Sequence, residues 1–292
     1  MKTVSYLLIY FLISVSQVQA LPNLKFPTLG GMQFWDDVEI SQGHRIQQHV
    51  WTKHYRTLDE DDWRIAWGNL ADCQAKMPVS NFDKNVNKPL ILLIHGLGRS
   101  RYSMSSLQKK LSEAGYEAQT VAYSSFLKPI DHFSANLKNI LDKSQHREIY
   151  CVTHSLGGIV VRHLDQHHPS EKMKAAITLA APHKGSAVVD TLSFCYLDFL
   201  LGPTGKGLGT KDFLLEEKST SFPILTVAGV SNGISYLPFG IFLGQESDGI
   251  VKEKNSRLKY SKRHHKVNAS HTFIMNDPKV LKIIQKLIVV NQ

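Results

Sequence analysis

Residues 148–162 read Glu148-Ile149-Tyr150-Cys151-Val152-Thr153-His154-Ser155-Leu156-Gly157-Gly158-Ile159-Val160-Val161-Arg162. Glu148 to Thr153 has the short apolar pattern of a strand, and Ser155 to Gln166 reads as a helix. A strand that runs straight into a helix must turn sharply, and small residues are needed beside the turning residue. Gly157 and Gly158 supply them. The turn lifts the Ser155 hydroxyl clear of a sheet and aims a helix N-terminus, with its partial positive charge, at whatever reacts there. The plainer role for Ser155 is a helix N-cap with two packing glycines. The strand before it and the helix after it favour the sharp turn. Thr153 stands where such turns usually carry a glycine, and is the one local departure.

Working outward, Leu90-Ile91-Leu92-Leu93-Ile94 is a continuous apolar run of the kind buried on both faces of a parallel sheet, and it ends in His95-Gly96-Leu97-Gly98. Helices are expected over Ser103 to Ala114, Ile130 to Leu141 and Val280 to Val289, and strands over Ala118 to Tyr123, Ala175 to Ala180 and Ile224 to Val230. Strands alternating with helices predict an α/β fold, a mainly parallel sheet with helices on both faces. Upstream, residues 21–88 form an extension that holds all four tryptophans. His44 to Tyr55 reads as a strand. Trp63 to Met77 has a loose helical period that Asp61 or Asp62 could cap, within an acidic run that reads equally as a solvated loop. The extension is expected to pack on the core, giving the main sheet edge strands and a covering helix. The core itself is assigned to residues 89–292.

The first twenty residues read as a signal peptide: Lys2, an apolar stretch from Val4 to Val15, then Val18-Gln19-Ala20 with cleavage after Ala20. Export to the periplasm or beyond is the expectation. No other stretch is long and apolar enough to cross a bilayer. An oxidising compartment permits one disulfide among three cysteines; Cys151 lies in a strand, leaving Cys73 and Cys195 as the candidate pair. The formal net charge is +9, with a cluster at Lys262-Arg263-His264-His265-Lys266. This cluster reads as a solvated basic face, or as peripheral contact with an anionic lipid surface. No nucleic-acid recognition module accompanies it.

The string His154-Ser155-Leu156-Gly157-Gly158-Ile159-Val160-Val161-Arg162, the His95-Gly96-Leu97-Gly98 loop and the segment Ala181-Pro182-His183-Lys184-Gly185-Ser186 together resemble lipases and esterases of the α/β-hydrolase superfamily, the last segment being similar to the A-P-x-x-G-S segment of bacterial lipases. The resemblance spans roughly residues 88 to 290. It implies a serine hydrolase acting on carboxylic esters, lipid or other acyl esters, without metal or cofactor. The same machinery would serve acyl transfer or thioester cleavage, and the fold also occurs in binding proteins. The resemblance further implies an oxyanion hole from the backbone N–H groups of Leu97 and Leu156.

A serine hydroxyl needs a base in reach, and the base an orienting carboxylate. In the resembled fold the chain order is serine, acid, histidine. Ser247-Asp248-Gly249-Ile250-Val251 matches the family's S-D-G-x-V string and assigns Asp248, with Glu246 as its nearest rival and a turn aspartate as its plain reading. His271, before the terminal helix, lies where the family places its base. His264 and His265 are expected to face solvent. His163 and His167 share a helix face at metal-compatible spacing but read as two surface histidines. His183 is expected at the pocket rim. The insertion at 187–221, with an apolar stretch and glycines at 205, 207 and 209, and a second apolar stretch from Ile234 to Leu243, suit a lid over an acyl site.

Overall fold

The computed structural model describes residues 25–78, 88–194, 202–205, 207–210, 213, 215–230 and 246–291. The expected signal peptide, Cys195, the stretch 234–243 and part of the 187–221 insertion lie outside these residues. Five short strands come first: β1 (Phe26–Pro27), β2 (Trp35–Ser41), β3 (His44–His49), β4 (Tyr55–Leu58) and β5 (Trp63–Gly68). They make an antiparallel sheet in the order β1-β5-β4-β3-β2. Gln42 and Gly43, both at positive φ, close the β2–β3 turn, a backbone that suits the twist of paired strands.

Three expectations are corrected here. His44 to Tyr55 is β3, a turn, and the first residue of β4; Lys53, at φ 61°, marks the turn. Trp63 to Met77 is not one helix. Its first part, rich in aromatic and β-branched side chains, pairs with β4 as β5, and only Leu70–Gln74 is helical (α1). Asn69, not Asp61 or Asp62, caps α1, its side chain accepting from the Asp72 N–H at 2.9 Å. The extension also forms its own sheet instead of lengthening the main one. Val38, Ile46, Ala66 and Cys73 are its small core.

The main sheet comprises β6 (Leu90–Ile94), β7 (Glu117–Val121), β8 (Ile149–His154), β9 (Met173–Leu179), β10 (Ile224–Gly229) and β11 (Arg263–Val267). Their order is β11-β10-β9-β8-β6-β7, and every neighbouring pair is parallel. Parallel strands need crossovers, and helices supply them: α2 (Ser105–Glu113), α3 (Ile130–Lys143) and α4 (Leu156–His167), then the short α5 (Ala187–Phe194), α6 (Gly202–Gly205) and α7 (Glu253–Ser256), and finally α8 (Pro278–Asn291). Alternation along β6 sorts its side chains. Leu90, Leu92 and Ile94 pack with Phe133 and Leu137 of α3 and Ile159 of α4. Ile91 and Leu93 pack with Leu107 of α2 and Ile284 of α8. Burial on both faces explains the unbroken apolar run.

The basic run 262–266 is corrected as well: most of it is the edge strand β11. An edge strand with one wet face reads as polar. Arg263 and Lys266 are exposed, but His264 is turned inward, with Nδ1 2.7 Å from Thr226 Oγ1 and Nε2 2.8 Å from Glu253 Oε1.

The two sheets meet through polar groups. The Asp37 N–H donates to the Ala122 carbonyl just past β7, and the Ala122 N–H donates back to Asp37 Oδ2 at 2.7 Å. Arg45 pairs with the same carboxylate at 2.7 Å, both side chains buried. Asp62, from the acidic run, is buried too, accepting from Arg101 and Tyr102. Buried charges survive only when paired and hydrogen-bonded, so this network fixes how the extension seats.

Candidate active site

The C-terminal ends of β6, β8, β10 and β11 converge on one cavity. Ser155 follows β8 directly and takes φ 50°, ψ −116°, a conformation costing about 1–3 kcal/mol for a non-glycine residue. Its N–H donates to the Leu179 carbonyl at 2.9 Å, and its carbonyl accepts from the Gly158 N–H at 3.0 Å. The glycines are needed for space. A Cβ on Gly157 would stand 2.8 Å from the Ile94 carbonyl oxygen, and one on Gly158 2.5 Å from Ala181 Cβ. Thr153 is fully buried, with its hydroxyl 3.5 Å from the Ile177 carbonyl, so the bulk tolerated there is absorbed between strands.

The structure brings Ser155, His271 and Asp248 together. His271 Nε2 lies 3.0 Å from Ser155 Oγ, and His271 Nδ1 lies 2.8 Å from Asp248 Oδ2. A carboxylate only accepts, so Nδ1 carries the proton and Nε2 is free to accept from the serine. Asp248 is 1% exposed. Its other oxygen accepts from the N–H groups of Ile250 and Val251, at 2.9 and 2.7 Å. The rival Glu246 is exposed and 3.3 Å from Lys266. Leu97 and Leu156 both line the cavity beside Ser155.

The cavity measures about 280 Å³, and Val188, Val189, Leu208, Ile250 and Val251 make much of its wall apolar. Val188 and Val189 come from α5 and Leu208 from the later insertion, so the described part of 187–221 borders the site. His183 does not. It is buried, with Nε2 2.8 Å from Thr178 Oγ1, and its carbonyl accepts from the buried Arg162. Burial holds its imidazole well below the usual histidine range.

Residues 89–220 match a family model described as the alpha/beta hydrolase fold. The chain has the α/β-hydrolase fold. Among solved structures it is similar to the lipase BlEst2 of Bacillus licheniformis in mature form, at 24% identity and a TM-score of 0.62, covering 73% of this chain and 96% of that one. It is also similar to the metagenomic carboxyl esterase MGS0156, at 17% identity and a TM-score of 0.60, covering 77% and 81%. No curated protein matches the chain.

Sequence reasoning missed the residues that hold this α/β-hydrolase site in place. His154 has no role assigned from the sequence, yet it is buried and its Nε2–H donates to the His271 carbonyl at 2.8 Å. Burial first, and His271 beside it, keep its pKa well below the ordinary value. His95 stacks on Tyr123 with ring centres 4.2 Å apart, and the Tyr123 hydroxyl donates to its carbonyl. Gln33, from the extension, reaches the same loop: its amide donates to the Arg99 carbonyl and to Ser125 Oγ, which accepts from the Gly98 N–H at 3.0 Å. Arg99 in turn donates to the Thr272 carbonyl at 2.9 Å. The loop carrying Leu97 and the loop carrying His271 are thus tied to each other and to the turn that leads into β2. Half-buried polar side chains such as Gln33 carry no periodic signal, so only packing reveals their partners.

Proposed function

We propose that the protein is a serine hydrolase of carboxylic esters. The unbroken hydrogen-bond chain from Ser155 through His271 to Asp248 carries this reading. The Ser155 oxygen attacks the ester carbonyl while His271 Nε2 takes its proton. Asp248 holds the Nδ1–H tautomer and stabilises the imidazolium that forms. The N–H groups of Leu97 and Leu156 receive the charge developing on the carbonyl oxygen; losing one such donor costs about 3 kcal/mol of transition-state stabilisation. His271 then protonates the leaving alcohol. Water repeats the sequence on the acyl-enzyme and releases the acid.

The apolar wall supports an acyl group as the part of the substrate that enters. At about 280 Å³ the cavity lies just below the roughly 300–1,000 Å³ usual for small-ligand sites, which favours short and medium chains over long ones. In this reading the described part of the 187–221 insertion, through Val188, Val189 and Leu208, covers the acyl group. A fluorophosphonate probe tests the assignment. It should label the protein at Ser155 and leave Ser155→Ala unlabelled; equal labelling of both sinks it. A series of p-nitrophenyl esters then tests the acyl preference, and a rate that climbs steadily to the longest chains contradicts the small cavity.

A further inference from the structure

We propose that Asp131, His163 and His168 form a divalent-metal site, best suited to Zn²⁺, where the start of α3 meets the end of α4. One ligand atom from each lies within 4.8 Å of the others. The expectation that His163 and His167 are a pair of surface histidines is corrected by the same geometry. His163 is 6% exposed, and His168, not the exposed His167, completes the cluster.

The hydrogen bonds around His163 prepare it as a ligand. Ser134 Oγ donates its single proton to the Asp131 carbonyl at 2.9 Å. Toward His163 Nδ1, 2.8 Å away, the same oxygen can therefore only accept. His163 is thus protonated at Nδ1, and its Nε2 carries the lone pair. Metal-bound histidines are held this way, with the second ring nitrogen donating to a fixed acceptor.

The other two ligands face each other. His168 Nε2 lies 3.0 Å from Asp131 Oδ1, a contact that an ion would take over. His168 is also the last residue of α4 in the capping sense, its N–H donating to the Leu164 carbonyl at 2.7 Å. The unpaired carbonyls of a helix C-terminus favour a cation there. Two imidazoles and one carboxylate, with a fourth position open to water, fit the tetrahedral preference of Zn²⁺. The site sits at the far end of the helix that begins beside Ser155, about 18 Å along its axis at 1.5 Å per residue. An ion there clamps α3 to α4 and takes no part in the chemistry at Ser155.

The test is calorimetric titration of the EDTA-treated, untagged protein with ZnCl₂, followed by thermal unfolding with and without the ion. One Zn²⁺ should bind per chain and raise Tm. Asp131→Asn/His168→Ala, which changes partly exposed groups, should fold and lose that binding. Ser134→Ala should keep the ligands but weaken binding by about 10- to 100-fold. Co²⁺ in place of Zn²⁺ should give the visible absorption of a tetrahedral site in the wild type and not in the double variant. Absence of stoichiometric binding, or binding that survives unchanged in the double variant, overturns the proposal. The readout does not depend on hydrolysis, and Ser155→Ala should bind the ion like the wild type.

Discussion

In the parallel sheet, β6 and β8 bury every residue, and their side chains are almost all apolar. In the antiparallel sheet, β3 and β4 bury Arg45, Gln47, Arg56 and Thr57 beside Ile46 and Leu58. The first sheet is held by area removed from water and the second by paired charge and amide groups. The candidate triad belongs wholly to the first. The loop that carries Leu97 nevertheless leans on Gln33, in the turn that leads into β2 of the second. A reactive geometry can thus sit on one layer and draw part of its rigidity from another that touches no substrate.

Substitutions can separate the two contributions. The largest expected effect is Ser155→Ala, which should cut ester turnover by roughly 10⁶-fold with an unchanged circular dichroism spectrum. Retained turnover would move the chemistry elsewhere. Asp248→Asn should cost about 10⁴ in kcat, since the amide can favour the wrong imidazole tautomer; a small effect would remove Asp248 from the site. In the other sheet, Asp37→Ala removes the acceptor of the Arg45 guanidinium, of the Gln47 amide and of the Ala122 N–H at the junction. Breaking such a buried pair should cost about 3–5 kcal/mol by urea unfolding, and a loss under 1 kcal/mol would show the junction to be slack.

Acid should act on both layers. His95 beside the parallel sheet and His54 in the antiparallel one are each held near a pKa of about 4 by burial. The unfolded chain takes up these protons near 6.5, the folded one only near 4. Stability should therefore be full above about pH 6.5 and fall as pH drops toward 4. A flat profile of urea midpoints across that window contradicts it. The smallest effect is expected for Gln33→Ala: about a tenfold drop in kcat, or 1.4 kcal/mol, with little change in KM. No change at all would mean that the antiparallel sheet only covers the site.

The parallel sheet was legible because its burial is two-sided. Runs such as Leu90–Ile94 and the serine turn are written in local spacing, and all the helices expected around it are present within a few residues. The antiparallel sheet was not. Trp63–Gly68 can satisfy a helical or a strand pattern, and only pairing with β4 decides between them. β11 was missed because this edge strand is polar along most of its length, with only Val267 fully buried. Within the site, Ser155, Asp248 and His271 stand at marked turns. His154, His95 and Gln33 act through hydrogen bonds to backbone atoms distant in sequence, for which a one-dimensional pattern has no sign.

The placement of the thiols has a practical consequence. Cys73 lies in the small core of the antiparallel sheet and Cys151 inside β8, both free and buried. Burial raises both pKa values, that of Cys151 to about 12, so neither reacts until its surroundings open. With Cys195 replaced by serine, each layer holds a single chemical clock. The rates at which a thiol reagent consumes the two, resolved by peptide mass, would report how often each sheet opens, and whether they open together.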